Sequence, residues 1–135
     1  MDGIIYCVFS ALGFATVENI VYVAFKFTSN PHIGLYRGIF SVPAHGLFAV
    51  TMGYYLGIAK FSEDKKEEKC CKRKALWMPL LLHGAFNFIL MSKLNYGFLI
   101  FIPYVIYLWI VNLKKLTRYY SASKIRYHNK FKFER

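Results

Sequence analysis

The chain has 135 residues and a formal net charge of +11, and 56% of its residues are hydrophobic. This composition excludes an intrinsically disordered chain. Its three cysteines, Cys7 and the adjacent Cys70 and Cys71, exclude a disulfide framework. The basic residues lie in clusters between long apolar segments, which excludes nucleic acid as a partner and indicates a small membrane protein with a helix-against-helix core.

Four apolar segments predict an all-α fold, a polytopic membrane bundle of about four transmembrane helices. An α-helix rises about 1.5 Å per residue, so about 20 apolar residues cross a bilayer core of about 30 Å. The predicted bundle occupies residues 1–113. Its spans are predicted at 4–26, 38–59, 75–92 and 97–113.

Fifteen of the 18 Lys and Arg residues lie in two segments, a predicted loop at 60–74 and a basic tail at 114–135. Two spans separate these segments, so a four-span topology puts both on the same side of the membrane. Positive charge marks the cytoplasmic side. We therefore expect a multi-pass protein of the cell membrane with cytoplasmic N- and C-termini. The loop and the tail are expected to lie against anionic lipid.

Glu18 is the only acidic residue of the first predicted span. A charged carboxylate near the centre of a membrane helix costs roughly 2.5 to 3.5 kcal/mol on insertion scales. Ionisable groups at this depth are by default functional. The structural alternative is a protonated acid that joins two helices by a hydrogen bond.

Three more polar residues lie at a similar depth, namely His45 in the second span and His83 and Asn87 in the third. Measured from the outer end of each span, Glu18 lies about 12 Å deep, His45 about 10 Å, His83 about 13 Å and Asn87 about 7 Å. The shared depth predicts that the four side chains meet in one layer of the outer half of the membrane.

The spacing along each helix agrees with this prediction. His83 and Asn87 are four residues apart and lie on one side of a helix. Four-residue spacing also aligns His45 with the small residues Ala49, Gly53 and Gly57. A small-xxx-small stripe lets two membrane helices approach closely, so the polar groups are expected on surfaces that contact other helices.

Two imidazoles and a carboxylate at one level can hold a divalent metal, and zinc is the metal expected for Glu18, His45 and His83. Three protein ligands leave one position for water, which zinc makes acidic. Glu18 can alternatively act as a general base on a water that the histidines hold. Two other interpretations stay open at this point: an ion or proton relay, and a non-catalytic hydrogen-bonded bundle.

Three motifs in order resemble the PrsW family of bacterial intramembrane proteases, which is related to the CAAX-protease and bacteriocin-processing membrane enzymes. The first comprises Asp2-Gly3-Ile4-Ile5-Tyr6 and the segment from Gly13 to Tyr22. The second comprises Ala44-His45-Gly46 and Gly53-Tyr54-Tyr55-Leu56-Gly57. The third is Leu82-His83-Gly84-Ala85-Phe86-Asn87.

The resemblance implies a metal-dependent or glutamate-based peptidase that cleaves a membrane-anchored protein such as an anti-sigma factor. It implies that Glu18, His45, His83 and Asn87 are active-site positions. Family members also carry a glutamate pair followed by lysine on a helix before the Asp-Gly segment, and the resemblance assigns the role of catalytic base to that pair.

This chain begins at the Asp-Gly segment and does not contain that glutamate pair. The departure predicts a chain that is N-terminally truncated relative to the family. Three interpretations stay open: a fragment that is inactive alone, a gene remnant, and a minimal form completed by an upstream helix or by a second copy.

Overall fold

The computed structural model describes residues 2–26, 32–91 and 97–133, with side chains described for residues 2–25, 38–90 and 99–125. Nearly all of this part of the chain is helical. The first helix ends in a π-helical turn at Tyr22–Lys26. The four α-helices are α1 (Asp2–Val21), α2 (His32–Phe61), α3 (Lys65–Met91) and α4 (Gly97–Phe133). The predicted all-α fold is confirmed.

Three of these helices are long and apolar enough to cross a membrane within the described residues. The candidate spans are Asp2–Phe25, Gly38–Phe61 and Leu99–Ile125. The third predicted span, 75–92, is not among them. The uncharged part of α3 between Lys74 and Leu90 is shorter than the about 20 residues that a bilayer core requires.

The basic segment predicted as a loop at 60–74 is mostly helical, which corrects its predicted conformation. Only three residues, Ser62 to Asp64, separate α2 from α3. Asp64 caps the start of α3, because its Oδ1 accepts a hydrogen bond of 2.9 Å from the backbone N–H of Lys66. Glu68 and Lys72 form an ion pair of 2.5 Å one turn further on. Lysine and glutamate are good helix formers, so the charged segment continues the helix.

The basic tail predicted at 114–135 is likewise helical as far as Phe133, so α4 extends well beyond its predicted span. Buried polar residues join this part of α4 to α2. Thr51 donates a hydrogen bond of 2.7 Å to Oδ1 of Asn112, and both side chains are almost fully buried. Lys115 donates a hydrogen bond of 3.0 Å to the Thr51 hydroxyl. These bonds fix the register of α4 on α2.

Helix α1 packs on α2 with the two chains running in opposite directions, because Ile4 meets Gly53 while Glu18 meets His45. The backbones touch at the first of these points, where a Cβ on Gly53 would lie 2.6 Å from the Cα of Ile4. Within the described residues, no Cα of α1 comes within 8 Å of a Cα of α3 or α4. In this part of the chain, the backbone of α1 therefore packs closely only on α2, and α1 approaches α3 through the Glu18 side chain.

The hydrophobic core lies on the other side of α2, between α2, α3 and α4. Its buried residues are Ala44, Leu47, Phe48, Phe86, Phe101 and Leu108. The hydroxyl of Tyr104 donates a hydrogen bond of 2.6 Å to the carbonyl of Leu82, which ties α4 to α3 next to His83. Helix α3 therefore packs against both α2 and α4.

The two adjacent cysteines are expected to differ in reactivity. Cys70 is exposed on α3 and Cys71 is buried. Burial raises the pKa of the Cys71 thiol, and the neighbouring Glu67 carboxylate raises it further. Because the thiolate is the reactive form, we expect N-ethylmaleimide to modify Cys70 several-fold faster than Cys71. Mass spectrometry of single-cysteine variants checks this, and equal rates would contradict the packing of α3.

Candidate metal centre

Three helices each contribute one ligand-type side chain to a single point. Glu18 comes from α1, His45 from α2 and His83 from α3, and one ligand atom of each lies within 4.8 Å of the others. Nε2 of His45 lies 3.2 Å from Oε2 of Glu18. The imidazole rings of His45 and His83 meet edge to face, with centroids 4.6 Å apart. Three of the four side chains that were predicted to meet are thus brought together.

The helix geometry explains how these side chains reach one another. Ala15 of α1 is buried against α2, and Glu18 and Asn19 lie three and four residues further along, on the same side of α1. The π-helical turn begins at Tyr22, shortly after them. Such turns often occur at functional sites. Because the backbones of α1 and α3 stay apart, Glu18 approaches His83 across a gap between these two helices.

Aromatic rings surround the two histidines. Phe48 stacks on His83 with centroids 5.6 Å apart and an interplanar angle of 15°. The Phe48 ring also meets the His45 ring edge to face, with centroids 6.1 Å apart. The ring of Phe14 on α1 meets His45 edge to face as well, with centroids 5.8 Å apart. Sequence reasoning missed these rings. The signal for Phe48 was its position three residues after His45, on the same side of α2.

Burial places this centre in apolar surroundings but leaves it accessible. His45 is only 4% exposed, while the side chain of Glu18 is 18% exposed. His83 is partly buried. Charges interact more strongly in such a medium than in water, so the carboxylate is a strong partner for an imidazolium or a metal ion. The partial exposure of Glu18 and His83 leaves the centre open to a bound group.

Two asparagines lie beside the three ligand-type residues. Asn87 is partly buried one turn after His83, on the same side of α3. Asn19 follows Glu18, and its Oδ1 is buried without a hydrogen-bond partner among the described residues. A buried acceptor without a partner costs free energy, so it is a natural contact for a bound group. Asn19 was assigned no separate role from the sequence, although its position directly after Glu18 was an available signal.

The donor set fits a zinc ion. Zinc in proteins binds imidazole nitrogen and carboxylate oxygen at about 2.0–2.2 Å, which separates neighbouring tetrahedral ligands by about 3.4 Å. The separation of 3.2 Å between His45 and Glu18 already matches that spacing. The ligand atoms of all three residues lie within 4.8 Å of one another. Three protein ligands with an open fourth position are typical of catalytic zinc.

Comparison with known proteins agrees with this geometry. Residues 1–111 match the family described as PrsW family intramembrane metalloprotease. The chain is 47% identical over 126 residues to Protease PrsW of Clostridioides difficile, covering 92% of this chain and 52% of that protein. It is 36% identical over 125 residues to Protease PrsW of Bacillus subtilis, covering 93% of this chain and 55% of the relative.

The chain therefore spans about half the length of the curated relatives it matches. No solved structure matches it. The family match extends over most of the chain and includes all three helices that supply Glu18, His45 and His83. The chain belongs to the PrsW family of intramembrane metalloproteases.

Proposed function

We propose that this chain carries the zinc-binding catalytic centre of an intramembrane protease that hydrolyses a peptide bond in a membrane-anchored protein. The observation that carries the proposal is the meeting of Glu18, His45 and His83 from three separate helices in apolar surroundings. A non-catalytic bundle has no need for three ionisable groups at one partly buried point. An anti-sigma factor with a single membrane span is the substrate class that we propose.

Each residue has a definite task in this proposal. His45 and His83 would hold zinc through neutral ring nitrogens, and Phe48 keeps both rings in place by contact with each of them. Zinc, when bound, supplies a Lewis acid that makes water nucleophilic at neutral pH. Glu18 is either the third ligand or the base that accepts a proton from the attacking water at its Oε2 atom.

The asparagines would orient the substrate. The Asn87 side chain has N–H donors that can bind the carbonyl oxygen of the scissile bond, where negative charge develops during attack. The Oδ1 atom of Asn19 is an acceptor that can bind a substrate N–H. The rings of Phe14 and Phe48 limit the entry of bulk water, which strengthens these polar interactions.

The proposal includes partners beyond the substrate. Among the described residues, the backbone of α1 packs closely only on α2, and α1 carries exposed apolar residues such as Phe9, Val17 and Ile20. An upstream helix of a longer protein or a second copy of this chain would cover these sides. Anionic lipid would contact the basic parts of α3 and α4.

We place the protein in the cell membrane as a multi-pass protein with both termini in the cytoplasm. Reporter fusions at positions 30 and 95, which lie outside the described residues, should report an external location. Fusions at Asp64 and at the C-terminus should report a cytoplasmic one, because the positive residues cluster near these points. A cytoplasmic signal at position 95 would contradict the four-span topology.

A hybrid protein tests the proteolytic function without depending on the length of this chain. In the hybrid, this chain replaces its matching segment in Protease PrsW of Clostridioides difficile. We expect cleavage of a co-expressed single-span anti-sigma factor. A Glu18→Gln hybrid should lose cleavage, whereas Glu67→Gln on the exposed start of α3 should retain it.

The same hybrid separates a protease from a relay. Purified protein in liposomes that carries Glu18-dependent proton flux and cleaves no substrate would overturn the proposed function. Cleavage with no proton flux would support it.

A further inference from the structure

A cavity of about 780 Å³ lies away from the candidate metal centre, between α1, α2 and α4. It is centred near Gly57, which is 12 residues beyond His45, or about 18 Å along α2. Helices α1 and α4 both pack on α2, but no Cα of one lies within 8 Å of the other in the described residues. A groove therefore separates α1 from α4, and α2 forms its floor. The ring of Tyr119 lies directly against Gly57, where it occupies the space of a side chain.

The lining of this cavity is both cationic and apolar. Lys60 of α2 and Arg118 of α4 contribute positive charge, and Asp2 contributes the one carboxylate among the lining residues. Within the described part of the chain, neither cation forms an ion pair with a carboxylate. Leu56, Ile58 and Phe61 provide apolar surface.

Hydroxyl groups complete this lining. Tyr6, Tyr54, Tyr119 and Ser123 all border the cavity. Tyr54 and Tyr119 meet edge to face with ring centroids 6.5 Å apart. These residues put hydrogen-bond donors close to the two cations. A bound molecule would therefore meet positive charge and hydroxyl groups together with apolar surface, and an amphiphile with an anionic head has this chemistry.

We propose that this cavity is a binding site for an anionic phospholipid. The phosphate of the headgroup would lie between Lys60 and Arg118, with its acyl chains along the apolar side chains between α1 and α4. Two cations and one carboxylate line the cavity, so its excess positive charge complements an anionic headgroup. The predicted topology agrees, because the cavity lies at the end of α2 next to the basic start of α3, where anionic headgroups attract Lys and Arg.

A zwitterionic lipid would fill the same groove but would gain little from the excess positive charge. A segment that precedes Met1 in a longer protein is the other occupant to test, because Asp2 and Gly3 line the cavity. Free inorganic phosphate shares the headgroup chemistry but would make no use of the apolar surface. The experiment therefore distinguishes these three cases from an anionic lipid. None of its measurements depends on proteolytic activity.

Native mass spectrometry of the full chain in detergent measures the binding directly. We expect the chain to retain phosphatidylglycerol in preference to phosphatidylcholine with the same acyl chains. Replacing both cations, in a Lys60→Gln/Arg118→Gln variant, should weaken phosphatidylglycerol binding by about 10- to 30-fold, since each cation near an anionic surface contributes about fivefold. Both side chains are exposed, so the variant is expected to fold.

The matched control removes the same charge elsewhere. A Lys69→Gln/Arg73→Gln variant of α3 lies on a basic surface outside this cavity, so it should lose only weaker lipid contact and keep the preference for phosphatidylglycerol. Ala122→Trp should fill the cavity and weaken the binding of both lipids. Equal loss in the two double variants would overturn the proposal, as would equal binding of the two lipids or displacement of lipid by millimolar phosphate. Loss of lipid selectivity in the full-length hybrid would also overturn it, since a preceding segment would then occupy the groove.

Discussion

Replacement of His83 by alanine is expected to lower the zinc affinity of the purified chain by at least about 100-fold. Loss of an outer-shell partner alone typically costs 10- to 100-fold in metal affinity, and His83 would be a direct ligand. The variant leaves only His45 and Glu18 at the centre, which is one ligand fewer than catalytic zinc sites use. Zinc content after equilibration with a chelating buffer measures the change.

His128→Ala is the matched control for this experiment. The chain has four histidines, and His128 is the one in the basic end of α4. Its replacement leaves the three converging residues intact. The control should bind zinc as the unmodified chain does. Full zinc content in His83→Ala would contradict a site made of these three residues. Lowering the pH should release zinc from the unmodified chain, because protons compete for the same ligand atoms.

The role of Glu18 can be separated from that of the histidines. If Glu18 is a ligand, Glu18→Gln should lower both zinc affinity and cleavage by the hybrid. If Glu18 is instead the general base, the same variant should keep zinc and lose cleavage, because an amide cannot accept the proton. The separation of 3.2 Å between Glu18 and His45 is compatible with either role, so zinc content decides between them.

The positions of Glu18, His45 and His83 could be predicted because a membrane restricts where polar residues are placed. Each group is costly in hydrocarbon, so its depth along its own helix becomes informative. Four-residue spacing then predicted which side of α2 faces other helices, and the contact between Gly53 and Ile4 agrees with it. Neither argument needed the family resemblance.

Other features could not be predicted by that reasoning. The charged segment after Lys60 was predicted as a loop because its charges separate two apolar spans, although helix propensity, the cap from Asp64 and the i,i+4 pair of Glu68 and Lys72 were available signals. The stacking of Phe48 on His83 depends on the relative rotation of α2 and α3, which residue spacing within one helix does not determine. Sequence periodicity also gave no sign that the described backbone of α1 would pack closely on α2 but not on α3 or α4.

The packing of α1 on α2 leads to a second large effect, at Gly53. A Cβ at this position would lie 2.6 Å from the Cα of Ile4, a backbone atom that cannot rotate away. Gly53→Ala should therefore push α1 away from α2 and lower the stability of the bundle by about 1 to 3 kcal/mol, as expected for overpacking. Because Glu18 belongs to α1, the same shift should separate it from His45 and weaken zinc binding.

Two comparisons make this prediction specific. Gly38→Ala introduces the same methyl group into α2, at a position with no atom within 4 Å of the new Cβ, and should not destabilise the bundle. Ile4→Ala should not rescue Gly53→Ala, because the nearest obstacle is the Ile4 backbone itself. Unfolding in detergent, followed with zinc affinity for each variant, checks both expectations. If Gly53→Ala matched Gly38→Ala in both measurements, α1 would not be held against α2 by this contact, and Glu18 would need another support to reach the histidines.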